Sequence, residues 1–243
     1  MSSLNILGLN LELLLNEGWG EALLIGLYRS LTIAFGAFAL GLVIGIFASV
    51  GKLYGNAIVK QLLELYTTIV RSVPELVLIL IVYFVGADLV NAVAGLLGYS
   101  YVEINGAAAG VFVLGFVQGA YSTEVIRGAI LSVPVGQIEA GRAFGMTGAA
   151  VLRRITLPAM LPAALPGLSN LWLIAMKDTA LLAVLGFGEL TQVTRQAAGS
   201  TKEYFTFFLA AGCLYLIASL ISNVVSRRLE VWARRGLPQD IRA

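Results

Sequence analysis

Ser30-Leu31-Thr32-Ile33-Ala34-Phe35-Gly36-Ala37-Phe38-Ala39-Leu40-Gly41-Leu42-Val43-Ile44-Gly45-Ile46-Phe47-Ala48-Ser49-Val50-Gly51 contains no charged side chain. A helix rises about 1.5 Å per residue, and the hydrocarbon core of a bilayer is about 30 Å thick, so roughly 20 such residues cross it. Residues 104–123 and 204–226 are equally free of charge. Two further apolar runs are interrupted. Residues 58–87 contain Lys60, Glu64, Arg71, Pro74 and Glu75, and residues 164–188 contain Lys177 and Asp178. With flanking residues these predict five spans over about 22–51, 58–87, 104–127, 164–188 and 204–226, in one helical membrane domain covering 1–243. Residues 89–97 are too short for another span and read as an interfacial segment.

Composition agrees. Of the 243 residues, 58% are hydrophobic and 12% charged, against about 25% charged in soluble domains. Such a chain cannot cover its own surface with polar groups in water. The absence of histidine removes imidazole proton relays and the commonest zinc ligand. The single cysteine, Cys213, excludes an intrachain disulfide and reads as a packing residue. No basic run of the nucleic-acid-binding kind occurs, and no G-x-x-x-x-G-K-[ST] phosphate loop is present. The first charges, Glu12, Glu17 and Glu21, are acidic, unlike the basic start of a signal peptide.

Lysine and arginine set orientation. Lys52 and Lys60 flank the first hairpin, Arg142, Arg153 and Arg154 lie between spans three and four, and Arg227, Arg228, Arg234, Arg235 and Arg242 follow span five. With five spans these regions share one side, which places the C-terminus in the cytoplasm and the N-terminus outside; Arg195 and Lys202 run against the trend. Glycines four apart (Gly41 and Gly45, Gly106 and Gly110, Gly115 and Gly119) predict close helix packing without identifying a seam.

The loop at 132–158 does not resemble a span. Pro134 suits a helix start, residues 138–144 form a short helix-capable run, and Gly145 or Gly148 can supply a left-handed stop. Glu139, Arg142, Ala143 and Met146 are expected to share one face, with the composition of a docking surface. Charges within the spans are costly and are usually paired or functional. Arg71 and Glu75, four apart, and Glu124 and Arg127, three apart, are expected on common helix faces. They read first as structural ties, or as the lining of a gate. Lys177 and Asp178 are adjacent and point apart. Asp178 either closes an ion pair with a neighbouring span or binds a cationic or zwitterionic amino acid, with Thr179 adding a hydroxyl and Lys177 as a further candidate of the same site. Glu189 and Gln192 read as exposed polar residues.

The order Glu139-Ala140, Gly145 six positions on, Ile155 and Leu157-Pro158 resembles the EAA signature of permeases from binding-protein-dependent ABC importers. Gly141 stands where a second alanine is usual and Leu152 where phenylalanine is usual. The resemblance extends through Arg71-Ser72-Val73-Pro74-Glu75-Leu76, through Gly119-Ala120-Tyr121-Ser122-Thr123-Glu124, and through Leu165-Pro166-Gly167 and Lys177-Asp178-Thr179. It is similar to the polar amino-acid branch, of the histidine/lysine/arginine/ornithine or opine type. The resemblance implies an all-α, five-span type I bundle that imports a polar, basic amino acid by alternating access. Residues 139–145, with Glu139, Ala140, Arg142, Ala143, Gly145 and Met146, would form a cytoplasmic coupling helix. The implied partners are an ABC ATPase dimer, a second and paralogous permease, a periplasmic binding protein and the lipid bilayer. ATP and magnesium would be held by the ATPase, with no metal, cofactor or catalytic residue on this chain. The other reading is an autonomous secondary transporter or channel; five spans and no apparent inverted repeat weigh against it.

Overall fold

A computed structural model describes residues 5–6, 9–15, 18–100, 102–103 and 105–236. Arg242, which entered the orientation, and Glu17, one of the first acidic residues, lie outside these residues. A short antiparallel rung, β1 (Asn5–Ile6) with β2 (Leu9–Asn10), precedes α1 (Leu11–Leu15). The helices that follow are α2 (Trp19–Tyr54), α3 (Ala57–Ser72), α4 (Glu75–Leu96), α5 (Gly106–Leu131), α6 (Val135–Ala143) and α7 (Gly148–Val151). A widened turn at Leu152–Thr156 leads into α8 (Leu157–Asp178), which tightens into a 3-10 turn at Thr179–Leu185. The last helices are α9 (Leu190–Thr201) and α10 (Tyr204–Ala233). Five stretches are long and apolar enough to cross a membrane: α2, α4, α5, the run Gly148–Leu185, and α10. The expected all-helical, five-span bundle is observed.

The second span differs from expectation. Residues 58–87 do not form one helix. Pro74 has no N–H to continue a helix and drives the residue before it into extended backbone; Val73 accordingly has φ −98° and ψ 140°. The chain re-enters helix at Glu75, and α4 runs to Leu96, so residues 89–97 belong largely to the span and not to a separate interfacial segment. Helix α3 is amphipathic: Thr67 and Val70 are buried, while Ile58, Leu62, Leu65 and Ile69 are exposed. The fourth span also starts early, because helix begins at Gly148, inside the stretch expected to be loop.

The bundle is built around the pair α2 and α5, whose contact is made by glycine. A Cβ on Gly41 would lie 2.8 Å from Gln118 Cβ, and one on Gly45 would lie 2.6 Å from Ser122 Cβ and 2.9 Å from the Ser122 carbonyl carbon. From the other side Gly115 receives Leu40, and Gly119 receives Ile44 and the Tyr66 hydroxyl. Two of the three glycine pairs therefore form one seam, and backbones meet there because no side chain intervenes. Gly106 and Gly110 instead admit Phe187 and Leu182 of the turn after α8.

At the end of the bundle carrying α1 and α9, Leu13, Leu23, Leu190, Ala197 and Phe207 pack together, with Trp19 edge-on to Phe207 at 5.9 Å. Glu189, expected to be exposed, is wholly buried there. It caps α9: Oε1 accepts from the Gln192 N–H at 2.8 Å, and Oε2 accepts from the Thr191 N–H at 2.8 Å, the Ser30 hydroxyl at 3.2 Å and the Tyr215 hydroxyl at 3.3 Å. Burial pushes its carboxyl above the usual range, and these donors act in the opposite direction. Glu189 thus joins α2, α9 and α10.

Candidate functional site

Three groups of residues carry the chemistry, and the first is α6. Pro134 caps its start with φ −57°, a value its ring already imposes. At the other end Gly145 takes φ +76°; the Met146 N–H donates to the Gly141 carbonyl at 3.1 Å and the Gly145 N–H to the Arg142 carbonyl at 2.9 Å. This paired closure is the left-handed stop that only glycine makes without strain, so the stop is Gly145 and not Gly148. One face of α6 is fixed to the bundle. Ile138 packs on Ile126, Ala129, Val133 and Met160, and Gly141 is buried against Ile155. The free face presents Glu139, Ala140, Arg142 and Ala143, all exposed. Met146 does not share that face: it follows the stop and turns back with its sulfur against Gly141. Phe144 takes its place. It is 89% exposed at the tip of the helix, a position sequence reasoning passed over. A methyl group at Gly141 would press on the terminal carbon of Ile155, a mobile atom, so alanine fits there with a small shift of that side chain. Leu152 is exposed on the widened turn. That turn has a cause: Pro158 has no N–H to offer the Arg154 carbonyl and its ring crowds it, so the Leu157 N–H reaches back five residues to the Leu152 carbonyl.

The second group lies where α3 gives way to α4 at Pro74 and where α8 tightens into its 3-10 turn. Glu75 opens α4, and Asp178 closes α8. The two carboxyl groups face one another within interacting range, and Tyr121 of α5 adjoins Glu75. Arg71 does not pair with Glu75, because α3 ends at Ser72 and the two residues no longer share a helical face; it is exposed, and its charge bears on Tyr121 instead. Lys177 is exposed, and its charge bears on Asp178. Thr179 is fully buried, and its hydroxyl donates to the Met176 carbonyl at 2.9 Å, so it does not extend the carboxyl pair. Tyr121, within the run Gly119–Glu124, is a member of this group that its sequence position alone does not reveal.

The third group is a charge knot. Lys52, with its side chain only 5% exposed, reaches Glu124 at 2.5 Å, Glu64 at 2.6 Å and the Thr67 hydroxyl at 2.8 Å. Arg127 donates to the other Glu124 oxygen at 2.9 Å. Glu124 and Arg127 do pair across one turn of α5, as expected, and the missing partner was Lys52, which had served only to mark orientation. The knot ties α2, α3 and α5. Among the described residues no group of three or more Cys, Asp or Glu side chains is placed to hold a metal ion.

Comparison with known proteins agrees with this architecture. Residues 41–235 match the family described as the binding-protein-dependent transport system inner membrane component. The nopaline transport system permease protein of Agrobacterium fabrum is 40% identical over 91% of this chain and 95% of its own length. The histidine/lysine/arginine/ornithine transport system permease protein of Escherichia coli is 38% identical over 90% of this chain and 98% of its own length. Among solved structures, an amino acid ABC transporter crystallised with histidines superposes with a TM-score of 0.73 at 28% identity, covering 90% of this chain and 96% of that one. An inward-facing methionine ABC transporter shares the fold, with a TM-score of 0.67 at 20% identity over 88% and 99% of the two chains.

Proposed function

The chain is a member of the family of binding-protein-dependent transport system inner membrane components, and on that footing we propose that it is one permease of an importer for basic amino acids or opines, coupled through α6 to a separate ATPase. The observation that carries the substrate assignment is the pair Glu75 and Asp178, set beside Tyr121 where α4 begins and α8 ends. Broken helices at membrane depth are tolerated where they line a cavity or are buried in protein, and they recur at transporter binding sites. Two neighbouring carboxylates repel each other, and a bound cation relieves both. Histidine, lysine, arginine and ornithine, which name one relative's transport system, are basic amino acids.

The arginine-rich ends, at α6, Arg153, Arg154, Arg227 and Arg228, are assigned to the cytoplasm, with the N-terminus outside. There α6 would seat in the ATPase, its position fixed by Ile138 and Gly141 and its contacts made by Glu139, Arg142 and Phe144. The second permease is proposed to be a paralogue, and a periplasmic binding protein would deliver the substrate. An autonomous transporter gains no support from any relative described above.

Uptake into liposomes, with the ATPase, second permease and binding protein reconstituted alongside, tests both parts. A hydrogen bond to a charged group contributes about 1.5–3 kcal/mol, so Asp178→Asn and Glu75→Gln should each weaken arginine uptake about 10- to 100-fold in kcat/KM. Glutamine uptake, where measurable, should change little. An equal loss for every substrate would make the pair a structural element. Separately, Phe144→Ser should weaken ATPase association about 30-fold, the usual effect of losing a central aromatic contact. Unchanged association and uptake would remove α6 as the coupling element.

A further inference from the structure

We propose that the face between α2, α8 and α10 is a binding groove for one acyl chain of an anionic phospholipid, whose phosphate is held by Arg228. Two cavities of about 470 and 580 Å³ lie end to end on this face and share Phe35, Trp172, Ile221 and Ser222. They form one furrow, floored where Phe38 meets Trp172 edge-on at 5.6 Å. Along α10 the furrow runs from Ile217 to Leu229, and along α2 from Leu27 to Leu42, which at helical rise is about 18–22 Å. One leaflet of hydrocarbon is about 15 Å deep. A chain entering at Leu229 therefore reaches past Trp172.

The shape selects a chain over a helix. Phe35 and Ile221 stand 68% and 61% exposed where the two cavities join. A flexible chain passes between them, whereas a helix about 10 Å across rides over them and leaves both cavities unfilled. The groove also shares only α8 with the Glu75 and Asp178 pair, which a second permease would face across a common pathway. The charge at one end selects the headgroup. Arg228 is exposed three residues after Val225, on the groove side of α10 and beside Leu229, the last residue lining the groove; Arg227, roughly half a turn from Leu229, faces the other side of the helix. Neither has an ion-pair partner among the described residues. Basic side chains at that level attract anionic lipid.

Tryptophan quenching by lipids brominated in the acyl chain reads the groove directly. Trp19→Phe with Trp232→Phe leaves Trp172 as the sole tryptophan of this chain, and the same assembly with Trp172→Phe added subtracts the signal of the other proteins' tryptophans. The full chain, assembled with its permease and ATPase partners in nanodiscs, is titrated with brominated phosphatidylglycerol or brominated phosphatidylcholine. Expected is saturable quenching with about 5-fold preference for phosphatidylglycerol. Arg228→Gln should abolish the preference while leaving quenching, Arg227→Gln should keep it, and Ser222→Phe, which fills the groove, should remove saturable quenching. Equal quenching by both lipids in the parent protein would reduce the groove to bulk lipid contact. A Trp172 shielded from both in the assembled complex would show that protein covers it. Either result overturns the proposal.

Discussion

Lys52→Met is expected to lower the stability of the bundle by about 3 kcal/mol, the lower end of what breaking a buried ion pair from one side costs. The figure follows from how the three anchors differ. Glu64 is 67% exposed at its side chain, and an exposed pair contributes about 0–1 kcal/mol. Glu124 is only 19% exposed and gives Lys52 its closest contact. Without the ammonium, Glu124 retains Arg127 but loses its better-buried partner, and the Thr67 hydroxyl loses a donor. Arg127 is what holds the loss to the lower end. Adding Glu124→Gln to Lys52→Met should restore most of it, since the carboxylate no longer needs a counter-charge. Thermal unfolding of the full chain in nanodiscs measures all three variants. If Lys52→Met melts within a degree of the parent, the knot is a surface contact and not a tie between helices.

Gly45→Leu should be at least as damaging, at about 3 kcal/mol or more. Overpacking is cheap when a flexible side chain can move aside, but at Gly45 the obstacle includes the Ser122 carbonyl carbon at 2.9 Å and the Thr123 nitrogen at 3.1 Å. Backbone of α5 cannot yield without parting the two helices. Gly212→Leu is the control, because a side chain at that position in α10 meets nothing within 4 Å. The contrast between the two variants, read as folded yield and melting temperature, separates the seam from a general intolerance of bulk. Equal behaviour would show that the seam does not hold the pair together.

What could be read from sequence followed the demands of lipid. Residues 30–51 and 204–226 had to be helices because no water reaches their backbone in a bilayer, and α2 and α10 contain them. The second span was misjudged because hydropathy accumulates across Pro74 while helical hydrogen bonding does not. Once counting restarts at Glu75, 22 residues lead to Leu96, and the supposed interfacial segment disappears. Glycine spacing showed that a seam exists, but its partners are long-range, and Gly41 to Gln118 is not a distance any local pattern encodes. The same limit explains Glu189 and Lys52. Each lies near the end of an apolar run, where a charge normally reaches water, and only packing by distant helices buries it. Phe144 failed in the opposite sense: an aromatic beside Ala143 and Gly145 looks like core, and it projects because Gly145 turns the chain away beneath it.

The glycine seam also constrains how this protein can move. Helices meeting through flexible side chains can slip past one another when rotamers change, but at Gly41 and Gly45 α2 meets only Cβ and backbone atoms of α5, which have no rotamers to exchange, while Leu40 and Ile44 are seated in the notches at Gly115 and Gly119. Sliding would require a jump of a whole helical turn. The pair is in mechanical terms a single strut, and α6 is bolted to it through Ile138. A push applied at the Phe144 tip would therefore swing the strut as a unit, and the compliance would concentrate at the two joints where helix is interrupted, Val73-Pro74 and Asp178-Thr179. Those joints border Glu75 and Asp178, so the points that flex and the points that would grip a cation are the same.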